Sequence, residues 1–430
     1  MSSEHQRAFR YLERLLREHS QEALVKQLDP KMGELPPAVP GGSLTSPEAV
    51  ARRWQLIEIP VESKSALLGV AGEPSPEVFQ HHIENYIGAV SVPVGLAGPL
   101  RVNGLFAQGD YYVPLATTEA ALVASYHRGT QVISRAGGCR AMLLAEGISR
   151  APGFVFRTLA EAGLFVSWAV AHLDDLRQAA EATSQHGKLA DMRITIEGNH
   201  VYLVFEFTTG DAAGQNMVTI ATEAICRHIM AACPTKPQYY FVEANMSGDK
   251  KASAQSFLSV RGKKVSAEVA VPAEMVERLL HTTTARMVDY WRMSALGGVL
   301  SGTIGVQGHY ANGIAALYIA CGQDAACVAE SAVGVTRFEM TGDGALYAAV
   351  TLPNLIVGTV GGGTGLPAQR ACLEIMGLAG PGQAQAFAEV CAAVALAGEL
   401  SIIAALSAGE FTRAHQRLAR GKMPARHSTE

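Results

Sequence analysis

An α+β fold is predicted, and three observations predict it. Residues from about 150 to 242 order themselves β-α-β-β-α-β, the ferredoxin-like split arrangement, within a larger helical and mixed region. A run punctuated by glycine and proline, ENYIGAVSVPVGLAGPL at Glu84 to Leu100, reads as extended chain, because Pro93 and Pro99 rule out an interior helix. Ala384 to Leu406 is Ala-rich and reads as one long helix.

Phe9, Leu12, Leu15 and Leu16, followed by Leu24, Val25 and Leu28, recur at helical spacing, so Glu4 to Leu28 is expected to be one amphipathic helix that packs on the protein or on a partner subunit. A Pro/Gly-rich linker ends at Ser46-Pro47, an N-cap with proline in the first helical turn. A further helix is expected to start at Thr117-Thr118-Glu119. In the βαββαβ unit, Phe154 to Arg157 is strand-like and Leu159 to Thr183 reads as a long helix. Met192 to Phe207 reads as a hairpin turning at Gly198-Asn199, Gly214 to Cys233 as a helix and Gln238 to Ala244 as a last strand. Beyond it, Met275 to Arg292 is expected to be helical, and Ser301 to Ser331 to lead from a glycine-rich segment into a small-residue helix. Phe338 to Leu352 alternates like a strand around the Gly342 to Gly344 turn.

The chain has 430 residues, 48% hydrophobic and 17% charged, enough for a sizeable core and, by usual domain size, roughly two to three domains. A net charge of −4 gives no electrostatic case for nucleic acid or an anionic membrane. The seven cysteines form no CxxC pair and no zinc-finger spacing, which fits reduced, buried thiols in a cytoplasmic protein. The N-terminus is too charged for a signal peptide, and the most apolar run, VALAGELSIIAALSAG, is broken by Glu399, so a soluble protein is expected.

Several segments can carry chemistry, each with a plainer alternative. Glu119 is either a residue that suits a helix dipole or a carboxylic acid held in an apolar pocket, where its pKa would rise and it could donate a proton. Asp249-Lys250-Lys251 reads in isolation as a solvated turn. Asp324, among small apolar residues, either caps a helix or is buried and paired. Gly361-Gly362-Gly363-Thr364 before a helix is either a tight turn or a loop whose bare N–H groups cradle an anion. His415, in a polar tail, would ordinarily be solvated.

Taken in order, ENYIGAVSVPVGLAGPL, YVPLATTEAALVASYHRG, GDAAGQNM, GDKKASAQSF, CGQDAAC, GTVGGGT and a histidine near the C-terminus resemble the 3-hydroxy-3-methylglutaryl-coenzyme A (HMG-CoA) reductase family, in its soluble form and in the class typical of eukaryotes and archaea. The resemblance implies reduction of HMG-CoA to mevalonate and free coenzyme A by two successive hydride transfers, without metal. Glu119 would be the general acid, Lys250 the oxyanion stabiliser, Asp324 the charge that tunes both, and His415 the group that protonates the departing thiolate. It further implies that Arg150, Asn245, Asp249, Lys251 and Asn312 hold the acyl portion, that Ser125 and Arg128 face coenzyme A, and that Ser401 bonds His415. Asp211, Gly214, Asn216 and Met217, with Ser184, Gln185, Gly361, Gly362, Gly363 and Thr364, would bind the nicotinamide dinucleotide.

NADPH is the expected cofactor, with NADH possible: where relatives carry an arginine for the 2′-phosphate this chain has Gln185, with Lys188 and Arg193 nearby. Glu243 stands where many relatives have serine. By the same resemblance the domains are an N-terminal helical region (1–60), a large substrate domain (61–150 and 244–400), an inserted small dinucleotide domain (151–243) and a C-terminal flap (401–430), in a homodimer or higher homo-oligomer. The alternatives are a reductase of another acyl-CoA and a non-catalytic coenzyme A binder.

Overall fold

The computed structural model describes residues 3–42, 44–69, 75–80 and 82–409; His415 and the flap beyond 409 lie outside the described residues. Among the described residues eleven strands join into one mixed sheet. They are β1 (Val94–Gly104), β2 (Gln108–Ala116), β3 (Cys139–Arg150), β4 (Gly153–Val155), β5 (Lys188–Glu197), β6 (His200–Thr208), β7 (Tyr239–Phe241), β8 (Gly262–Val271), β9 (Gly305–Val306), β10 (Gly334–Met340) and β11 (Leu346–Leu355).

β3 belongs to both halves of this sheet. Arg140 to Gly147 pair antiparallel with β8, while Ile148 to Arg150 pair with Phe207 to Phe205 of β6. One half continues through β8, β11, β10 and β9, with β1 and β2 branching from β3. The other half runs β7-β4-β6-β5, every neighbour antiparallel, with three helices between its strands: Leu159–Ala171, Leu173–Glu181 and Gln215–Ala232. The sequence pattern thus located each of these strands. The junction through β3 involves pairing between distant segments, which no local pattern encodes.

Helix Ala384–Ser407 is buried on all sides and packs on β8, β11, β3 and helix Leu122–Arg135. It is apolar and long enough to cross a membrane by composition, yet 89% of its most apolar window is covered by the protein itself. Its two acids are satisfied inside. Glu389 accepts N–H bonds from Leu105, Phe106, Ala107 and Leu143, and Glu399 accepts from Gly308, His309 and the Thr336 hydroxyl. Burial pushes the Glu389 carboxyl up to about 7 against the pull of those four backbone donors. The helix also meets Leu122–Arg135 so closely that a Cβ on Gly129 would sit 1.9 Å from the Ala397 carbonyl oxygen.

Four expected helices differ. Glu4 to Leu28 is two helices, Ser3–Glu18 and Gln21–Leu28, because the Ser20 hydroxyl accepts the Ala23 N–H and starts a new one. Leu159 to Thr183 breaks at His172, and Met275 to Arg292 lies in two helices, Ala273–Leu280 and Thr284–Ser301, separated by His281 in the left-handed region. The helix expected at Thr117 begins only at Leu122, after Ala121 at φ 72, so Glu119 lies on the loop before it and not in its first turn.

Candidate active site

After β7 the chain turns tightly, and Asn245 and Lys250 both take left-handed backbone angles, φ 63 and 57. This brings the Lys250 ammonium 2.7 Å from Asp324 Oδ2, with 42% and 40% of the two side chains exposed. Asp324 precedes the 3-10 turn Ala325–Cys327, and its other oxygen accepts the Ala326 N–H at 3.0 Å. It therefore caps and pairs at once, on the surface and not in the core. The hydrogen bond to Asp324, reinforced by its charge, outweighs partial burial and raises the Lys250 pKa above the ordinary lysine value. Exposed Lys251 donates back to the Asp249 carbonyl at 2.9 Å.

Beneath this pair lies a chain of buried charges. Arg150, at the end of β3, sits between Glu243 Oε2 (3.3 Å) and Asp249 Oδ2 (2.9 Å). Asp249 Oδ1 meets Arg261 at 2.7 Å, and Arg261 in turn meets both oxygens of fully buried Glu330, at 2.6 and 2.5 Å. Burial alone would raise the Asp249 carboxyl, but Arg261 and then Arg150 bring it below the usual aspartate value. At Glu330 burial wins and the pKa rises despite Arg261. Arg150 and Asp249, expected to hold the acyl portion, are paired with each other in the lone chain. Arg261 and Glu330 were not among the expected site residues. An arginine in SVRGKK reads as surface charge, and the one available signal was an acid inside the apolar segment CVAES.

Glu119 is exposed, and its carboxylate receives the Asn312 amide at 3.5 Å. Asn312 lies in the first turn of helix Tyr310–Ala320, whose start is held by Glu399. Among the described residues Glu119 makes no hydrogen bond or ion pair with Lys250 or Asp324, so the lone chain presents two separate pairs. Ser125 and Arg128 converge on buried Ser401: the Ser125 hydroxyl at 2.9 Å, Arg128 Nε at 3.0 Å, and Arg128 Nη2 2.6 Å from the Ser401 carbonyl.

The expected cofactor residues gather from three motifs. A Cβ on Gly358 would meet the backbone of Asp211 to Ala213, and one on Gly322 would meet that of Gly363. The Gln323 side chain accepts the Gly358 N–H at 2.9 Å, so GDAAG, CGQD and GTVGGGT form one backbone cluster beside Asp324. Gly361 and Gly362 have positive φ and open space where a side chain would stand, and Asn216 is exposed at the start of helix Gln215–Ala232, after Gly214. Met217 abuts Gly187, next to exposed Gln185 and to Ser184, whose hydroxyl accepts the His186 and Gly187 N–H groups. The Asp211 carboxylate holds the Gly382 and Ala384 N–H groups at the head of the long helix. Thr364 turns its hydroxyl onto the Gly361 carbonyl at 2.7 Å. Lys188 and Arg193 are each ion-paired, to Glu181 at 3.0 Å and to Glu206 at 2.8 Å.

The sequence model of the family described as hydroxymethylglutaryl-coenzyme A reductase matches residues 49–420. The 3-hydroxy-3-methylglutaryl-coenzyme A reductase of Methanothermobacter thermautotrophicus is 45% identical over 87% of this chain and 94% of its own length. That of Aeropyrum pernix is 45% identical over 80% and 83%. Among solved structures, the class II reductase of Streptococcus pneumoniae bound to NADPH in open conformations superposes with a TM-score of 0.68, covering 84% of this chain and 97% of that one at 20% identity, which is a likeness of fold.

Proposed function

We propose a reaction from one premise: this chain belongs to the hydroxymethylglutaryl-coenzyme A reductase family. It is an oxidoreductase that converts HMG-CoA, two reduced nicotinamide cofactors and two protons into mevalonate, free coenzyme A and two oxidised cofactors. The observation that carries this reading to particular residues is the 2.7 Å pair of Lys250 and Asp324 beside the glycine cluster.

Lys250, kept charged by Asp324, lies where negative charge would build on the thioester oxygen; a fixed ammonium in a site closed to water stabilises that charge far better than solvent does. Glu119 would give the proton to that oxygen, and His415 would protonate the leaving thiolate. Asn312, already bonded to Glu119, would orient the acid against the substrate. Asn245 and Lys251, both exposed beside Lys250, are positioned for the polar acyl end, while the Ser125-Arg128-Ser401 cluster would face coenzyme A.

A nicotinamide dinucleotide fits the bare backbone of Gly361 and Gly362 and the open helix start at Gly214 to Met217. When bound it supplies one hydride to the substrate carbon at each of the two reductions. Ser184 and Gln185 would meet its adenosine ribose. NADPH is the proposed cofactor, and the ion pairing of Lys188 and Arg193 leaves NADH as the competitor for the same seat. The strand order β7-β4-β6-β5, antiparallel throughout, supports a ferredoxin-like dinucleotide domain inserted at 151–243.

A homodimer is part of the proposal. Lys250, Asp324 and Glu119 are exposed in the lone chain, where water would weaken their action. Met293, Leu296, Val299 and Leu300 on one helix, with Ile87 and Val90, are exposed as well, apolar surface that a second copy would cover. Seven free, buried cysteines accord with a reducing cytoplasm.

The test follows nicotinamide absorbance with HMG-CoA, using NADPH and NADH separately. Oxidation with at least one is expected; none with either, from folded protein, rejects the reading.

A further inference from the structure

Lys250 is gripped at both ends by one short segment. Its ammonium meets Asp324, at the head of the turn Ala325–Cys327. Its backbone N–H donates at 3.0 Å to Glu330 Oε1, in the helix Val328–Ser331 that follows directly. The residue needs such a grip, because a lysine at φ 57 occupies backbone space that side-chain-bearing residues seldom enter without support. Glu330 is fully buried, and Arg261, 2% exposed, binds both of its oxygens. The other end of that guanidinium holds Asp249, the residue just before Lys250. The Asp249 carboxylate and the Lys250 N–H are thus both tied to one buried guanidinium–carboxylate pair.

We propose that Arg261 and Glu330 are positioning residues that hold Lys250 in its left-handed conformation and so aim the ammonium at the reacting carbonyl. This rests on the role of Lys250 given above. A plainer account makes the pair a staple of the fold, since Arg261 also donates its own N–H to Asn354 Oδ1. The two accounts differ over the Lys250 N–H. As a staple the pair matters for its charges; as a positioning device it matters for the oxygen that the N–H reaches.

Two double variants separate them. R261M/E330Q and R261M/E330M both remove the Arg261–Glu330 charges together, and in both Asp249 loses Arg261 but keeps Arg150, so neither leaves an unpaired ion. Only the first keeps a carbonyl oxygen for Lys250. The expected result is equal unfolding midpoints, an unchanged KM for HMG-CoA, and a kcat lower by about 100-fold in R261M/E330M than in R261M/E330Q, the cost of a misplacement near 1 Å. The alkaline limb of kcat should also move to lower pH in R261M/E330M, as the ammonium drifts from Asp324; Asp249 and Cys327, which also face Lys250, are common to both variants. Equal kcat in the two overturns the proposal. Should either double variant fail to fold, Glu330→Asp in the wild-type background decides: it keeps the charge against Arg261 but withdraws from the N–H, so kcat falls with KM held, and an unchanged kcat overturns the proposal. Wild type and Lys250→Ala run in the same assay. An inactive wild type, or an active Lys250→Ala, removes the reading of the site itself, a failure distinct from that of the positioning role.

Discussion

Lys250 Nζ and Asp324 Oδ2 stand 2.7 Å apart, joining the turn after β7 to the turn before Ala325–Cys327. Both side chains are partly open to water, so the pair gives little to stability.

The first expectation follows from that pair. Lys250 carries a raised pKa, so the ammonium persists below it and is lost only as pH rises through it. Asp324→Asn removes the cause. The alkaline limb of kcat should move to lower pH in this variant, with kcat at neutral pH reduced about tenfold or more as the tuning charge goes. A pH–rate profile of both enzymes checks it, and coincident alkaline limbs would count against Asp324 as the tuning group.

Arg150 should behave differently from Lys250. Arg150→Ala leaves Glu243 without its guanidinium and Asp249 with Arg261 alone in a largely buried setting, a change that costs about 3–5 kcal/mol. Lys250→Ala should abolish turnover with stability held within about 0.5 kcal/mol, as for an exposed side chain. Urea unfolding alongside the activity assay distinguishes the two patterns; an Arg150→Ala protein of wild-type stability would contradict the buried network.

Glu389 supplies a pH effect on stability. Its folded pKa, about 7, exceeds the ordinary 4.5, so the folded state holds the proton more tightly than the unfolded chain does. The contribution is most favourable below 4.5, declines as pH rises to about 7, and is level beyond. Denaturant midpoints measured across this window and about one unit beyond it should show the decline in wild type relative to Glu389→Gln, which cannot titrate. Parallel curves would refute it.

Gly129→Ala tests the close crossing of helices. In an exposed helix interior this change would stabilise by about 1 kcal/mol. Here the new methyl would sit 1.9 Å from the Ala397 carbonyl oxygen, so the sign reverses and the loss should exceed about 2 kcal/mol. Thermal unfolding reads it directly.

What was legible in the sequence was local. The order of strands and helices from β4 to β7, the Gly198-Asn199 hairpin between β5 and β6, and the Ala-rich helix at Ala384–Ser407 each follow from short-range period or turn chemistry. The helix breaks at His172 and His281 carry no local signal, because the apolar period resumes beyond them. The motif order carried the family.

The sequence by itself determined which elements form, which motifs stand in which order, and hence the family. Tertiary structure alone decided that Asp211 caps a distant helix, that Arg150 and Asp249 pair with each other and with Glu243 and Arg261, and that Arg261 and Glu330 underlie Lys250. The physical reason is range: period, caps and turns act over a few residues, whereas a charge is assigned its partner only when distant segments are buried together and water no longer competes for it.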